Sequence, residues 1–251
     1  MQKIEKNINK LVKLCVINIS TLSSSLRSNI DKHILEIYSK GIHNDVSLVK
    51  KRIIGFLDKK RNSDLELGAI SEFFIHLCLN MDGYSQECLY KNLEEPSMKK
   101  GFDGYYSKDK EEWIMESKSG RITTQGISHS KKINAAFNDL SNKVSGKVKN
   151  DPWENALYHA NVAKTNDDIV KNIEKMSDDF VKGFFAKISD FNIIPASTIF
   201  LDGKDSHAII QDNKKIKKEI ENWVKQKSYK RMYIICVTQE TKDVFWKYLE
   251  S

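Results

Sequence analysis

Hydrophobic side chains recur every three to four residues along much of the chain, and this spacing predicts amphipathic helices. The clearest segment is 64–81, in which Leu67, Ile70 and Leu77 belong to a wide apolar stripe and Asp64 stands where a helix cap is expected. The same periodicity predicts further helices at 26–40, 45–58, 130–145, 153–165, 167–187, 213–228 and 240–249. The chain is therefore rich in helices that each bury one side.

Short apolar runs predict strands between these helices. Residues 193–201 and 232–238 are continuous apolar runs of the kind found in buried strands. Residues 102–106 and 112–117 flank a polar turn and predict a β-hairpin. Residues 9–19 are apolar and β-branched, and their pattern is compatible with either a strand or a short helix. Strands that alternate with helices, after one hairpin, predict an α/β fold with a mixed central sheet flanked by helices.

The charge of the chain is unevenly distributed. Lys and Arg number 41 and Asp and Glu 34, a net of +7, and residues 1–60 alone contain 12 basic and 5 acidic side chains. The remaining 29 basic and 29 acidic side chains of 61–251 cancel. We therefore predict a basic N-terminal appendage over 1–60 that packs on a core domain over 61–251. Lys50, Lys51 and Arg52 would contact nucleic acid or an acidic partner protein, and a solvated lysine-rich surface is the alternative.

The cysteines and the hydropathy of the chain indicate the cellular compartment in which the protein is expected. The four cysteines are scattered without the spacing of a zinc site, which favours free thiols in a reducing compartment. No apolar run approaches the ~20 residues that a membrane span needs. The first residues contain no apolar block before a small-residue cleavage site. We expect a cytoplasmic protein that does not bind membranes.

Charged residues at the predicted hairpin are the strongest candidates for chemistry. Glu116 and Lys118 lie two apart on the second strand and so project from the same face. On the first strand Asp103 stands between Gly101 and Gly104, and cross-strand pairing can bring it near Glu116. Two carboxylates and an ammonium suit a hard divalent cation that binds a phosphate oxygen, with the lysine positioning or deprotonating a water. This chemistry is what phosphodiester hydrolysis requires.

Asp103 followed by Glu116-Ser117-Lys118 resembles the D…(D/E)xK motif of the PD-(D/E)XK nuclease superfamily. The resemblance covers roughly 65–145, although no proline precedes Asp103. It implies a restriction-endonuclease-like α-β-β-β-α-β core, whose third strand is not placed, and a Mg²⁺-dependent DNA nuclease in which Mn²⁺ can substitute. A carboxylate from an earlier helix then completes the catalytic and metal site, and Glu72 matches it, with Glu66 as the second choice.

The segments GFDG and ESKSG further resemble the HamA nucleases of Hachiman anti-phage systems. That resemblance implies a role in anti-phage defence under the control of a helicase partner. The sequence itself contains no zinc finger or helicase motif, so we expect control of such a nuclease to come from a partner. The alternative function is a catalytically silent nucleic-acid-binding or interaction subunit that keeps the nuclease fold.

Polar residues after the motif strand are secondary candidates. In the superfamily such residues often contact substrate, which implies nucleic-acid contacts for Gln125, His129, Lys131 and Lys132; a solvated surface is the alternative. The basic run 214–218 is either a solvated helix face or a phosphate contact. Motifs for nucleotide binding, serine hydrolysis and zinc proteolysis are absent from the sequence.

Overall fold

The computed structural model describes residues 1–90, 101–203 and 213–251, and these form one seven-stranded mixed sheet. The strands follow the order β1-β2-β7-β6-β5-β4-β3 across the sheet. Their bounds are β1 (Gln2–Asn9), β2 (Val12–Ile19), β3 (Ser85–Gln86), β4 (Gly104–Lys108), β5 (Glu111–Arg121), β6 (Asn192–Phe200) and β7 (Arg231–Gln239). The four central strands are parallel, and the pairs toward both edges are antiparallel. The predicted α/β class with a mixed sheet flanked by helices is confirmed.

Helices cover both faces of the sheet. On one face, called the α3 face, lie α1 (Ser24–Ser39), α2 (Val46–Asp58), α3 (Asp64–Met81) and α8 (Asp243–Leu249). On the other, called the α4 face, lie α4 (His129–Val144), α5 (Pro152–Val162), α6 (Asp167–Val181) and α7 (Asn213–Val224). A short 3₁₀ turn spans Ile188–Asp190 before β6. Because side chains alternate along a strand, Met115 packs in the α3-face core and Ile114 in the α4-face core.

The helix predicted over 64–81 is α3, with the same bounds. The residue that caps it is Ser63 and not the expected Asp64, because the Ser63 side chain accepts a hydrogen bond from the Glu66 backbone N–H at 3.3 Å. The helix predicted over 167–187 instead ends at Val181, because Gly183 adopts a left-handed conformation with φ of +80° and turns the chain. Phe184 beyond it is 70% exposed, so its helical spacing was misleading.

The first 60 residues are built into the sheet. The segment 9–19, for which the sequence allows a strand or a helix, contains β2, which pairs in parallel with β7. Strand β1, which the sequence did not predict, pairs with β2 and forms the polar edge of the sheet. This corrects the predicted organisation, because an appendage that packs on a finished core would not supply two strands of its sheet.

All four cysteines are buried with free thiols. None of the helices in the described parts of the chain is long and apolar enough to cross a membrane.

Candidate active site at the β4–β5 edge

The β4–β5 hairpin brings Asp103 opposite Glu116. Its turn consists of Asp109 and Lys110, both with positive φ (51° and 63°), as in the tight turns that match strand twist. Gly104 pairs with Met115, so continuing the antiparallel register by one residue sets Asp103 against Glu116.

Hydrogen bonds fix the Asp103 side chain on the neighbouring strand. Its Oδ2 accepts from the backbone N–H of Ser117 at 2.9 Å and from the Ser117 hydroxyl at 3.0 Å. The carboxylate is therefore held at the edge of the sheet, half-buried, beside the motif strand.

The two glycines that flank Asp103 allow close packing. A Cβ at Gly101 would lie 2.4 Å from the carbonyl oxygen of Pro152, and a Cβ at Gly104 would lie 2.7 Å from the Tyr106 ring. Both positions therefore exclude larger residues, as the sequence pattern indicated. The contact with Pro152 brings the start of α5 against the loop that carries Asp103.

Glu116 is the most buried carboxylate of the predicted site, with 3% of its surface exposed. Its Oε1 accepts from Lys118 Nζ at 2.9 Å, and its Oε2 accepts from Lys143 Nζ on α4. Lys118 Nζ also lies 2.5 Å from Asp139 Oδ2, again on α4. Four side chains thus form a continuous charged network between β5 and α4.

Lys143 and Asp139 were missed by the sequence reasoning. They lie four residues apart and so share one face of α4. A signal was present, since a Lys and an Asp at this spacing occur on the first helix after the motif strand. What the sequence did not show is that this face packs over Glu116.

The environment shifts the pKa values of the two motif residues. Burial, reinforced by the nearby Asp103 carboxylate, raises the pKa of Glu116 despite the opposing effect of Lys143 and Lys118. Burial lowers the pKa of Lys118, but the carboxylates of Glu116, Asp139 and Asp103 outweigh this and raise it overall. Lys118 is therefore an ammonium ion at neutral pH.

Glu72 faces the same edge of the sheet from α3. It lines a cavity of about 20 Å³ together with Asp103, and α5 adds Asn155 and His159 to the lining. A volume of this size holds about one water molecule. His159 is 8% exposed, and its Nδ1 accepts from the backbone N–H of Leu89 at 3.3 Å. Glu72 and Asp103 therefore line the same small cavity.

The carboxylates of the predicted metal site do not form one cluster of three. Within the described ranges, no group of three or more His, Cys, Asp or Glu side chains is arranged to hold a metal ion. Asp103 and Glu116 remain as a neighbouring pair, and Mg²⁺ commonly binds through one or two carboxylates and several waters. Two ammonium groups already contact Glu116, so the surroundings of this carboxylate favour positive charge. The residues present therefore fit a hydrated divalent cation on Asp103 and Glu116, without Glu72 as a direct ligand.

Glu66, the second choice for the helix carboxylate, has a structural role. It is completely buried and accepts from Trp246 Nε1 at 2.8 Å, Lys242 Nζ at 2.7 Å and the backbone N–H of Asn62 at 2.7 Å. Although burial opposes it, these hydrogen bonds lower the pKa of Glu66 overall. The side chain joins the start of α3 to α8, and its six-residue separation from Glu72 amounts to about 9 Å of helix.

The predicted nucleic-acid contacts after the motif strand divide into two groups. Gln125 and Lys131 are exposed and Lys132 is half-buried. His129 is 3% exposed, and its ring nitrogens lie 2.8 Å from the Ser197 hydroxyl and 3.1 Å from the Thr238 hydroxyl. Burial lowers the pKa of His129 to about 3, so the ring is neutral. This placement does not fit the predicted substrate contact, because His129 joins α4 to the sheet.

The three basic residues of α2 lie on the α3 face, across the sheet from the α4 helix that contacts Glu116. Lys50 Nζ lies 4.0 Å from the centre of the Tyr248 ring and 3.3 Å from the Ser251 carbonyl oxygen. Arg52 lies 2.8 Å from the His43 ring, and Lys51 is exposed. Any partner of this basic surface would therefore bind on the side of the sheet away from Glu116.

No model of a known protein family matches the chain, and no curated protein sequence matches it. The residues of the site therefore have to support any functional conclusion.

Proposed function

We propose that this chain is a metal-dependent nuclease that hydrolyses the phosphodiester bonds of DNA. The observation that carries the proposal is the arrangement at the β4–β5 edge. There the Asp103 carboxylate is held against the motif strand opposite Glu116, and Lys118 lies 2.9 Å from Glu116. Paired carboxylates with an adjacent ammonium group suit hydrolysis at a phosphate.

The order of elements supports the same proposal. The chain runs through α3, β3, β4, β5, α4 and then β6, with α5 and α6 inserted before β6. This is the α-β-β-β-α-β order that the resemblance to the PD-(D/E)XK superfamily implies. In this proposal the two-residue strand β3 would be the strand of that core that the sequence did not place.

Each residue has a defined task in the proposed reaction. Asp103 and Glu116 would hold Mg²⁺ or Mn²⁺, which when bound polarises a phosphoryl oxygen and acidifies a water ligand. Lys118 fixes one oxygen of Glu116 and, as an ammonium ion, stabilises negative charge that develops on the phosphate. Glu72 would orient a water molecule in the cavity it shares with Asp103.

The biological context of the proposal comes from the resemblance to the HamA nucleases. That resemblance implies a role in anti-phage defence, as an effector controlled by a helicase partner. A nuclease restrained in this way would show no cleavage on its own. The cleavage assay therefore includes the partner and its activating DNA.

The experiment measures Mg²⁺-dependent cleavage of linear and supercoiled DNA, with an RNA substrate alongside. We expect Asp103→Asn to reduce cleavage to background and Lys118→Met to reduce the rate by about 10²-fold, the effect of losing one charge-stabilising group. Asp109→Asn is the matched control. Asp109 is exposed in the turn of the same hairpin, and asparagine tolerates its positive φ, so this variant should cleave normally. Normal cleavage by folded Asp103→Asn protein would overturn the proposal.

One observation favours the silent subunit as a second candidate, because both oxygens of Glu116 already have ammonium partners. A structural ion-pair network of this kind needs no metal. In that case the chain would bind DNA without cleaving it, with or without Mg²⁺ and the partner. The same assay separates the two functions.

A further inference from the structure

The Glu116 carboxylate has a different cation on each oxygen. Lys118, on the same strand, contacts Oε1 at 2.9 Å, and Lys143, near the end of α4, contacts Oε2. The Glu116 side chain is 4% exposed and that of Lys143 is 14% exposed, so this ion pair is largely screened from water. In such surroundings charge interactions are stronger than at the surface.

The two lysines are held in different ways. Lys118 has a second carboxylate partner, Asp139, at 2.5 Å. For Lys143, Glu116 is the sole ion-pair partner among the residues whose placement is described. Lys118 is therefore anchored from two sides, whereas Lys143 is held from one.

A divalent cation at Glu116 would be repelled by both ammonium groups. Each carboxylate oxygen keeps a free lone pair, but a doubly charged ion there would meet two positive charges within a few ångströms. Displacement of one ammonium relieves this repulsion. The lysine with a single anchor is the one whose release keeps the rest of the network intact.

The Phe102 ring lies close to the Lys143 ammonium. Lys143 Nζ lies 6.0 Å from the centre of the Phe102 ring, at the limit of a cation–π contact. The flexible stem of a lysine allows the ammonium to move without a change in α4. Phe102 also precedes Asp103, so the movement stays within the candidate site.

We propose that Lys143 is a positioning residue that holds the Glu116 carboxylate in place of the divalent cation and is displaced from Oε2 when that cation binds. The inference rests on the proposed function, because it assumes a cation on Asp103 and Glu116. The affinity for metal then depends on competition between the divalent cation and the Lys143 ammonium for the Glu116 carboxylate. Without metal, the Lys143 ammonium keeps the Glu116 side chain ordered. Its charge also offsets the repulsion between the carboxylates of Asp103 and Glu116.

The test measures binding of Mn²⁺ and of Mg²⁺ to the full chain by titration calorimetry. Lys143→Met removes the charge and keeps the apolar stem. We expect it to bind both ions at least about 10-fold more tightly than the wild type, because one positive charge next to the ion is lost. Lys147 is exposed and lies beyond the end of α4, four residues after Lys143. Lys147→Met removes the same charge at a distance and should leave both affinities unchanged.

Circular dichroism and thermal melting establish whether Lys143→Met is folded. If it is not, Lys143→Arg decides the matter, because arginine keeps the charge and holds a carboxylate with two parallel hydrogen bonds. We expect Lys143→Arg to bind the ions at least about 3-fold more weakly than the wild type. Equal or tighter binding by Lys143→Arg would overturn the inference.

The outcomes also separate this inference from the proposed function. If the wild type and Lys143→Met bind the ions equally well, the displacement is wrong and the nuclease proposal stands. If none of the proteins binds either ion, the metal site itself is wrong, and the inference fails with it.

Discussion

Glu66 and Glu116 are both buried glutamates that contact lysine side chains, yet their surroundings have opposite effects. Glu66 accepts three hydrogen bonds from three different donors, and these lower its pKa. Glu116 lies beside a second carboxylate, and burial together with that neighbour raises its pKa. Both side chains are almost inaccessible to water, and of the two only Glu116 has a neighbouring carboxylate that adds to the effect of burial.

This comparison shows how a structural carboxylate differs from a candidate catalytic one. At Glu66 every contact stabilises the ionised form and connects two helices. At Glu116 a like charge has been placed nearby, which destabilises the fold unless cations compensate it. Such an arrangement is expected where the site has to attract a cation or a developing charge.

The largest expected effect on stability is at Glu66. Glu66→Gln should lower the free energy of unfolding by about 3 kcal/mol, because it leaves Lys242 and Trp246 without their charged acceptor in a buried position. Glu116→Gln should cost about 1 kcal/mol, because Lys118 keeps Asp139 and the relief of the repulsion from Asp103 offsets part of the loss of the Lys143 ion pair. Chemical denaturation of the two variants under the same conditions measures both values. A larger cost at Glu116 than at Glu66 would break the comparison.

A smaller effect concerns pH. Because the pKa of Glu66 is lowered in the folded protein, its stabilising contribution is complete above the unfolded value near 4.5 and is lost as the pH falls through the folded value. In that window the unfolded chain binds a proton that the folded chain does not. The difference in stability between wild type and Glu66→Gln should shrink there by up to about 1.4 kcal/mol per pH unit. Denaturation curves from pH 6 downward test this, and a difference that stays constant with pH would contradict it.

Sequence periodicity was sufficient for much of the fold. The α3 helix and the β4–β5 hairpin follow from local patterns, since a wide apolar stripe and a polar turn between two strands are decided by nearby residues. Strand β1 could not be found in this way. Its residues are polar and exposed, and it becomes a strand only by pairing with β2 at the edge of the sheet.

The candidate site was predictable only in part, and for a similar reason. Asp103, Glu116 and Lys118 lie on one hairpin, so alternation and register alone bring them together. Lys143 comes from a helix whose packing over β5 depends on tertiary contacts. His129 illustrates the opposite error, because its polar neighbours in sequence indicated a surface position while the ring is buried between β6 and β7.

The most direct test of the central claim compares cleavage by Glu116→Gln with cleavage by Glu66→Gln. Both variants remove one buried negative charge and keep the size of the side chain. With Mg²⁺, the partner and activating DNA present, at a temperature where both are folded, Glu66→Gln should cleave within about 3-fold of the wild-type rate, a difference of less than 1 kcal/mol in the barrier. Glu116→Gln should show only background cleavage. Wild-type rates from folded Glu116→Gln protein would contradict the assignment of the β4–β5 edge as the active site of a nuclease.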